Sequence, residues 1–598
     1  MSKKVSKMGW IVLATFLSLS LAILPACTSA GPELPSEYIG SGALDGHGIP
    51  VDFFSDLNVR KGMCYAFDYN TYITQALLGQ GTQRGSPVVY GLYGFNPSAS
   101  MYSYNLTQAK YYFEHSSWGN LTAIGFKFTL LYNVGNLPRK TACELLAEGL
   151  YRVSPNFQVS VQPLAWPTIL SKIFGTRDMP LYQIGWQADY AHADNFIVPF
   201  MHSQGVYSYW QGYGSSALDD LIADAFEETN PGAQLTKYYA LQQRYYDDAP
   251  GIALAQPLVR RYFTGHISGF VYNPVDSSYP CQVMDLTKSQ NFSSGIPYLH
   301  AGQFIEDTIS ELDSLDPAWG YDTASGQQVQ YIYDTLLWYN GSSTDTFVPR
   351  LATNLGTFNA TDNTMRFTIR SGVQFSNGHN LTPEDVEYSF ERAMTQDRPA
   401  GPVWMLFAPL TGGMFYEDTN WAAINQSVEV DGQDVVFKLV GAWWELPFRQ
   451  IVAGPWASIV DKDYCVTQGD WDGTEADIVN HLHPANNGDT ALFDDAMGTG
   501  PWKLDQWQHG IQIKVDRNTL YWGGNETIPF DNIITKSVDV WNTRKLDLLA
   551  GEADLVYVPA TQFNEMDAVS GLNVWRYLPA LSFDAFFFNM IIGGPEEE

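Results

Sequence analysis

Residues 125–132, Gly-Phe-Lys-Phe-Thr-Leu-Leu-Tyr, alternate apolar and polar positions, the period of a half-buried strand. Near Pro138 the period becomes helical, with Ala142, Leu145, Leu146 and Gly149 as the expected inner face and Cys143 beside it. Leu218, Leu221, Ile222 and Ala225 recur at i, i+3, i+4 and i+7 behind Ser216, which reads as their N-cap. Later in the chain, Met365, Phe367 and Ile369 alternate with Arg366, Thr368 and Arg370 as a second strand. Thr382-Pro-Glu-Asp385 then opens a helix: Thr can cap it, Pro suits the first turn, and the acids oppose the positive dipole end. Val386, Ser389, Phe390 and Ala393 are its predicted inner stripe. Val428–Val430 and Val435–Leu439, joined through Asp431-Gly432, read as a hairpin. Strands and helices intermingle in both halves, so the expected class is α/β.

Length turns this into a question of lobes, because 598 residues are too many for one core. The aperiodic stretch 289–297, with Ser-Ser-Gly and Pro, is the best internal linker, dividing 38–288 from 298–598. Lys3, Lys4 and Lys7 precede an apolar run from Trp10 to Leu24 and the sequence Leu24-Pro-Ala-Cys27. Residues 1–26 therefore read as a lipoprotein signal peptide, Cys27 as the lipidated residue, and 27–37 as a tether outside the cytoplasmic membrane. The four other cysteines, Cys64, Cys143, Cys281 and Cys465, lack the spacing of a metal knuckle or redox pair, and no disulfide is expected. A formal charge of −31, from 33 basic and 64 acidic residues, excludes nucleic acid as a natural partner.

Several segments resemble a known family. Phe347-Val-Pro-Arg-Leu-Ala352, Phe367-Thr-Ile-Arg-Ser-Gly-Val-Gln-Phe-Ser-Asn-Gly378, Leu381-Thr-Pro-Glu-Asp-Val-Glu-Tyr-Ser-Phe390, Gly498-Thr-Gly-Pro-Trp502, Tyr521-Trp-Gly523 and Gly551-Glu-Ala-Asp554 are similar to the amino-terminal part of the solute-binding proteins that feed ABC importers of peptides, nickel and some oligosaccharides. Val59-Arg-Lys-Gly-Met-Cys-Tyr-Ala-Phe-Asp68, Trp186-Gln-Ala-Asp-Tyr190 and Leu218-Asp-Asp-Leu-Ile222 resemble its carboxy-terminal part. The two parts stand in reversed order, as in a circular permutation whose cut lies near the family's hinge; an opened hinge strand would loosen closure. The resemblance implies a two-lobed periplasmic-binding-protein-like fold of type II, the large peptide-binder class, with mixed sheets and a hinge. It also implies an oligopeptide or related solute as ligand, and a membrane permease with cytoplasmic ATPases as partners.

It further implies that Asp189 occupies the position where peptide binders offer a carboxylate to the ligand's α-amine, although the following Tyr190-Ala-His-Ala193 departs from the family's Tyr-Pro-Asp-Pro. Trp186, Trp404, Trp502 and Tyr213 are candidate stacking walls; Gly498, Thr499 and Gly500 are candidates for close backbone approach. Arg139 is the nearest basic candidate for a peptide carboxylate. His481-Leu-His483 reads as a surface loop, since its imidazoles share a side only in a strand and no third ligand stands nearby. An exported glycosidase would need two facing carboxylates, but Asp219-Asp220 and Asp247-Asp248 lie on apparent helices, where neighbours diverge by about 100°. No GxSxG, HExxH or phosphate-loop pattern is present, so the expectation is a binder that needs no cofactor.

Overall fold

The computed structural model describes residues 36–275, 285–291, 295–309, 311–398, 400–485 and 487–594. The signal peptide, Cys27 and all but the last two residues of the tether lie outside them, as does Cys281. The expected elements form where local chemistry specifies them. Pro383–Gln396 is a helix with Thr382 and Asp385 in a reciprocal capping box, and Val386, Ser389, Phe390 and Ala393 are buried. Val428–Asp431 and Asp434–Lys438 form the hairpin, with Gly432 at φ 66° supplying the left-handed turn.

Three expectations shift. The helix Ser216–Phe226 is capped by Ser215, whose side chain accepts from Leu218 N, and Leu221 faces solvent. The strand Phe126–Asn133 is buried on both faces because parallel Phe157–Leu164 lies beside it and helices cover the sheet, which removes any need for alternation. Cys143 joins the buried face of the helix Leu137–Val153 alongside Ala142, Leu146 and Gly149. Cys64, Cys143 and Cys465 are all free thiols in apolar surroundings, and burial pushes Cys143 up to about 12.

The main sheet is mixed and runs through the molecule. Its order is Trp502–Gln508, Gln512–Arg517, Asn532–Ser537, Gln303–Thr308, Leu555–Val556, Gly251–Thr264, Ser582–Phe588, Leu181–Gln187, Phe126–Asn133, Phe157–Leu164. One end comes from the second half of the sequence and the other from the first. Gly251–Thr264 joins them: its early residues pair with Ser582–Phe588 and its later ones with Leu572–Pro579 and Leu555. Fourteen residues at about 3.3 Å each give this strand the reach to serve both lobes.

The second crossing is made by two strands, Leu572–Pro579 and Ser582–Phe588, separated at Ala580 and Leu581. The chain runs on past Phe588, and Ile592 N and Gly593 N donate to Val51 O and Arg177 O, so the last described turn is sewn into the first lobe. The stretch after the first crossing is tied down as well: Lys288 forms a buried ion pair with Asp554, and His266 bonds to Ser289 O and Ile296 O. One apolar cluster draws on both lobes, bringing Trp186, Tyr207 and Phe583 together with Trp404, Phe407 and Trp456.

Candidate functional site

Asp189 follows directly on the buried strand Leu181–Gln187, where the chain turns into the helix Asp194–Met201. Asn195, fully buried in the first turn of that helix, fixes the loop. Its Oδ1 accepts from Asp189 N at 2.8 Å and from Trp186 Nε1 at 3.4 Å, while its Nδ2 donates to Asp189 Oδ2 at 2.8 Å. The same Oδ2 accepts the Tyr321 hydroxyl at 2.9 Å, and that hydroxyl accepts Trp404 Nε1 at 3.0 Å. Tyr321 and Trp404 come from the second half of the sequence, so the carboxylate is a point where the two halves meet. Trp186 packs edge-on against Tyr321 at 5.6 Å.

Asp189 has only neutral hydrogen-bond partners, and among the described residues no cation lies within ion-pair range of it. Burial pushes its pKa up to about 7, opposed by the bonds from Asn195 and Tyr321. A cavity of about 190 Å³ opens beside it, walled by Trp166, Phe174, Trp186, Tyr207, Tyr339 and Trp456.

Arg139 lines the same cavity. It sits in the first turn of the helix Leu137–Val153, donates to Asn133 Oδ1 at 2.9 Å, and stacks 5.0 Å from the Trp166 ring. Burial lowers its pKa, with the charge of Asp584 opposing from beyond ion-pair distance. It stands at the junction with a second cavity of about 440 Å³, which reaches along the crossing strands past Arg260, Arg261, Glu306 and Asp584. Burial pushes Asp584 up to about 6, against the pull of Arg139. The third buried acid, Asp322, is likewise raised to about 6 by burial and by Asp313, but it is spent capping its helix through Ala324 N and Ser325 N. Arg398 is occupied by Asp313 and by Trp319 O.

Of the candidate residues, Asp189, Trp186 and Arg139 thus meet at one cavity, and Trp404 supports it through Tyr321. Tyr213 lies elsewhere, its hydroxyl donating to Asp248. Gly498, Thr499, Gly500 and Trp502 pack in the second lobe. A Cβ on Gly498 or Gly500 would fall 2.2 or 2.6 Å from Ile332 O, Thr499 donates to Asp334, and Trp502 is fully buried against Tyr331. His481 and His483 point to different partners, His481 to Asp477 and His483 to Asp397 and Glu417. Tyr321 was missed; its only sequence signal is its place before Asp322, an N-cap in an aperiodic loop.

The family model described as bacterial extracellular solute-binding proteins, family 5 (middle), matches residues 37–208 and 346–593, more than half of the chain. The chain is 24% identical over 220 residues to the probable D,D-dipeptide-binding periplasmic protein DdpA of Escherichia coli (strain K12), covering 36% of this chain and 41% of that protein. It is 24% identical over 269 residues to the dipeptide-binding protein DppE of Bacillus subtilis (strain 168), covering 44% of each. Each alignment thus spans less than half the length of the relative. Among solved structures, the periplasmic binding protein DppA from Helicobacter pylori in complex with the peptide STSA matches at 25% identity and a TM-score of 0.34, over 44% of this chain and 48% of that one.

Proposed function

Because the chain belongs to the bacterial extracellular solute-binding proteins of family 5, we propose that it is a receptor that encloses an oligopeptide between its lobes and delivers it to an ABC importer. The observation that carries this reading is the pairing of opposite charges in one aromatic cavity. Asp189 is an acid with only neutral partners, and Arg139 is a base whose hydrogen-bond partner is the Asn133 amide. A buried charge without a counter-ion is costly. A zwitterion with an ammonium group for Asp189 and an acidic group for Arg139 would lower both costs at once. Each charge-assisted bond would contribute on the order of 1.5–3 kcal/mol.

In this reading closure proceeds by population shift: a ligand that touches both lobes favours the closed form by its differential affinity for it. Tyr321 then has a positioning role, holding Asp189 from the opposite lobe. The lobes correspond broadly to 38–288 and 298–598 joined through 289–297, with Ser582–Phe588 returning to the first lobe's sheet. We further propose that the chain is circularly permuted. A co-linear alignment can then capture only one of the two blocks, in keeping with matches that stop below half of each relative. The amino-terminal signal supports export and lipid attachment at Cys27, and delivery requires a permease and ATPase subunits as partners.

Tryptophan fluorescence of the protein, titrated with di- to pentapeptides, oligosaccharides and Ni²⁺, tests the ligand class. Saturable change with peptides alone is expected. Saturation by sugar or nickel with no response to peptides would replace the peptide by that ligand, and steady release of reducing sugar would make the protein an enzyme.

A further inference from the structure

Sequence proximity gives His483 no third ligand, but the fold brings two oxygen donors to it from distant segments. Asp397 Oδ2 lies 3.3 Å from His483 Nε2, and Glu417 Oε1 lies 3.5 Å from the same nitrogen. All three donor atoms fall within 4.8 Å of one another. Donors bound to one ion at about 2.1 Å in tetrahedral geometry are about 3.4 Å apart, so both spacings are those of a Zn²⁺-like centre. Two carboxylates and an imidazole also form the mixed oxygen and nitrogen set that borderline divalent cations accept.

The trio is held by two backbone bonds, one of which ends on the Asp397 carboxylate itself. Asp397 is buried and caps the helix Pro383–Gln396. Gln396 O accepts His483 N at 3.0 Å, and Asp397 Oδ2 accepts Tyr416 N at 2.5 Å. The two loops that carry His483 and Glu417 are therefore both pinned to one helix end. The rest of the site is open: Glu417 is exposed and His483 half-buried, leaving room for water to complete the coordination.

We propose that Asp397, Glu417 and His483 bind one divalent transition cation of the zinc class, at a site separate from the Asp189 cavity. The ion also braces an interlobe contact. Glu417 precedes Asp418, whose carboxylate accepts Gln204 Nε2 of the other lobe at 2.9 and 3.1 Å, and Phe415 packs near Tyr209 at 5.9 Å between ring centres. Fixing Glu417 to the helix end would stiffen the turn that makes both contacts.

The test is titration of the full chain with Zn²⁺ against a chromophoric chelator, beside the variants H483A, E417Q and H509A. His509 is the matched control, an exposed imidazole paired with a single carboxylate, Glu311. One tight site per chain is expected, weakened at least tenfold by H483A and by E417Q and unchanged by H509A. Hydrogen exchange of the amides at 415–418 should slow on zinc addition in the parent chain and not in H483A. Only weak, multiple binding in the parent chain, or tight binding that survives both H483A and E417Q, would overturn the proposal. Because both variants change exposed or half-buried side chains, the folded state is expected to persist, and circular dichroism checks it.

Discussion

Two charge clusters, one around Arg392 and one at the Asp189 cavity, are built to opposite rules. In the second lobe, Arg392 is sealed: Nη1 and Nη2 reach Asp316 Oδ1 and Oδ2 at 2.9 and 2.7 Å, and Nε reaches Asp470 at 2.6 Å. All three side chains are within 2% of full burial, and Gln396 completes the shell by donating to Asp470. At the cavity, Asp189 and Arg139 are only partly covered and have only neutral hydrogen-bond partners. The first arrangement compensates charge internally and locks three segments together. The second leaves both groups without a close counter-ion, which is what the proposed zwitterionic guest would supply.

The largest expected effect lies in the sealed cluster. Arg392→Ala leaves two carboxylates buried without their cation and should destabilise the protein by about 3–5 kcal/mol in denaturant titration. A loss below about 1 kcal/mol would mean the cluster is not the lock described.

The open cluster should respond in the other direction. The folded-state pKa of Asp189, about 7, is raised above its unfolded value of about 3.9. The folded protein therefore holds the proton more firmly, and the stability this contributes is complete below pH 4 and lost as pH rises to about 7. Asp189→Asn removes that loss. It should stabilise the ligand-free protein by on the order of 2 kcal/mol at pH 8 and by progressively less towards pH 4. Destabilisation at pH 8 would place Asp189 with Arg392 among the structural charges. The same proton couples to binding: an ammonium ligand should displace it at pH 6 and not at pH 8.5, read as buffer-dependent heats in calorimetry.

Tyr321→Phe sharpens the contrast. It removes a donor from the carboxylate and leaves Trp404 Nε1 without its acceptor, so a loss of about 1 kcal/mol and an upward shift in the pH midpoint of binding are expected. The smallest effect belongs to the surface: Leu221→Ser should stay within about 0.5 kcal/mol, whereas its buried neighbour Ile222→Ala should cost about 2–5 kcal/mol.

What could be read from sequence follows the range of the interactions involved. The capping box at Thr382, the Asp431-Gly432 turn and the strand around Phe367 are specified within a few residues, and they form as expected. Leu221 has helical spacing but lies at the edge of the stripe, where only the neighbouring helix Pro231–Asp248 decides what is covered. The glycines of Gly498-Thr-Gly500 signal close approach correctly as chemistry, but the approaching group is Ile332 O. Asp189 was legible through the family resemblance that marks its position, and Arg139 as the nearest basic candidate for a peptide carboxylate. Tyr321 was not, since its role exists only once residues 132 positions apart meet. The crossings are illegible for the same reason: pairing between Gly251–Thr264 and Ser582–Phe588 leaves no local mark.

In the proposed receptor the Asp189 carboxylate awaits a cationic guest. A thermodynamic cycle at pH 8 tests this directly, comparing a bound oligopeptide with its N-acetylated twin on the parent protein and on Asp189→Asn. At least a tenfold loss is expected from either change alone and little further loss from both together, because they remove the same bond. Full affinity for the acetylated peptide, or losses that multiply independently, would contradict this.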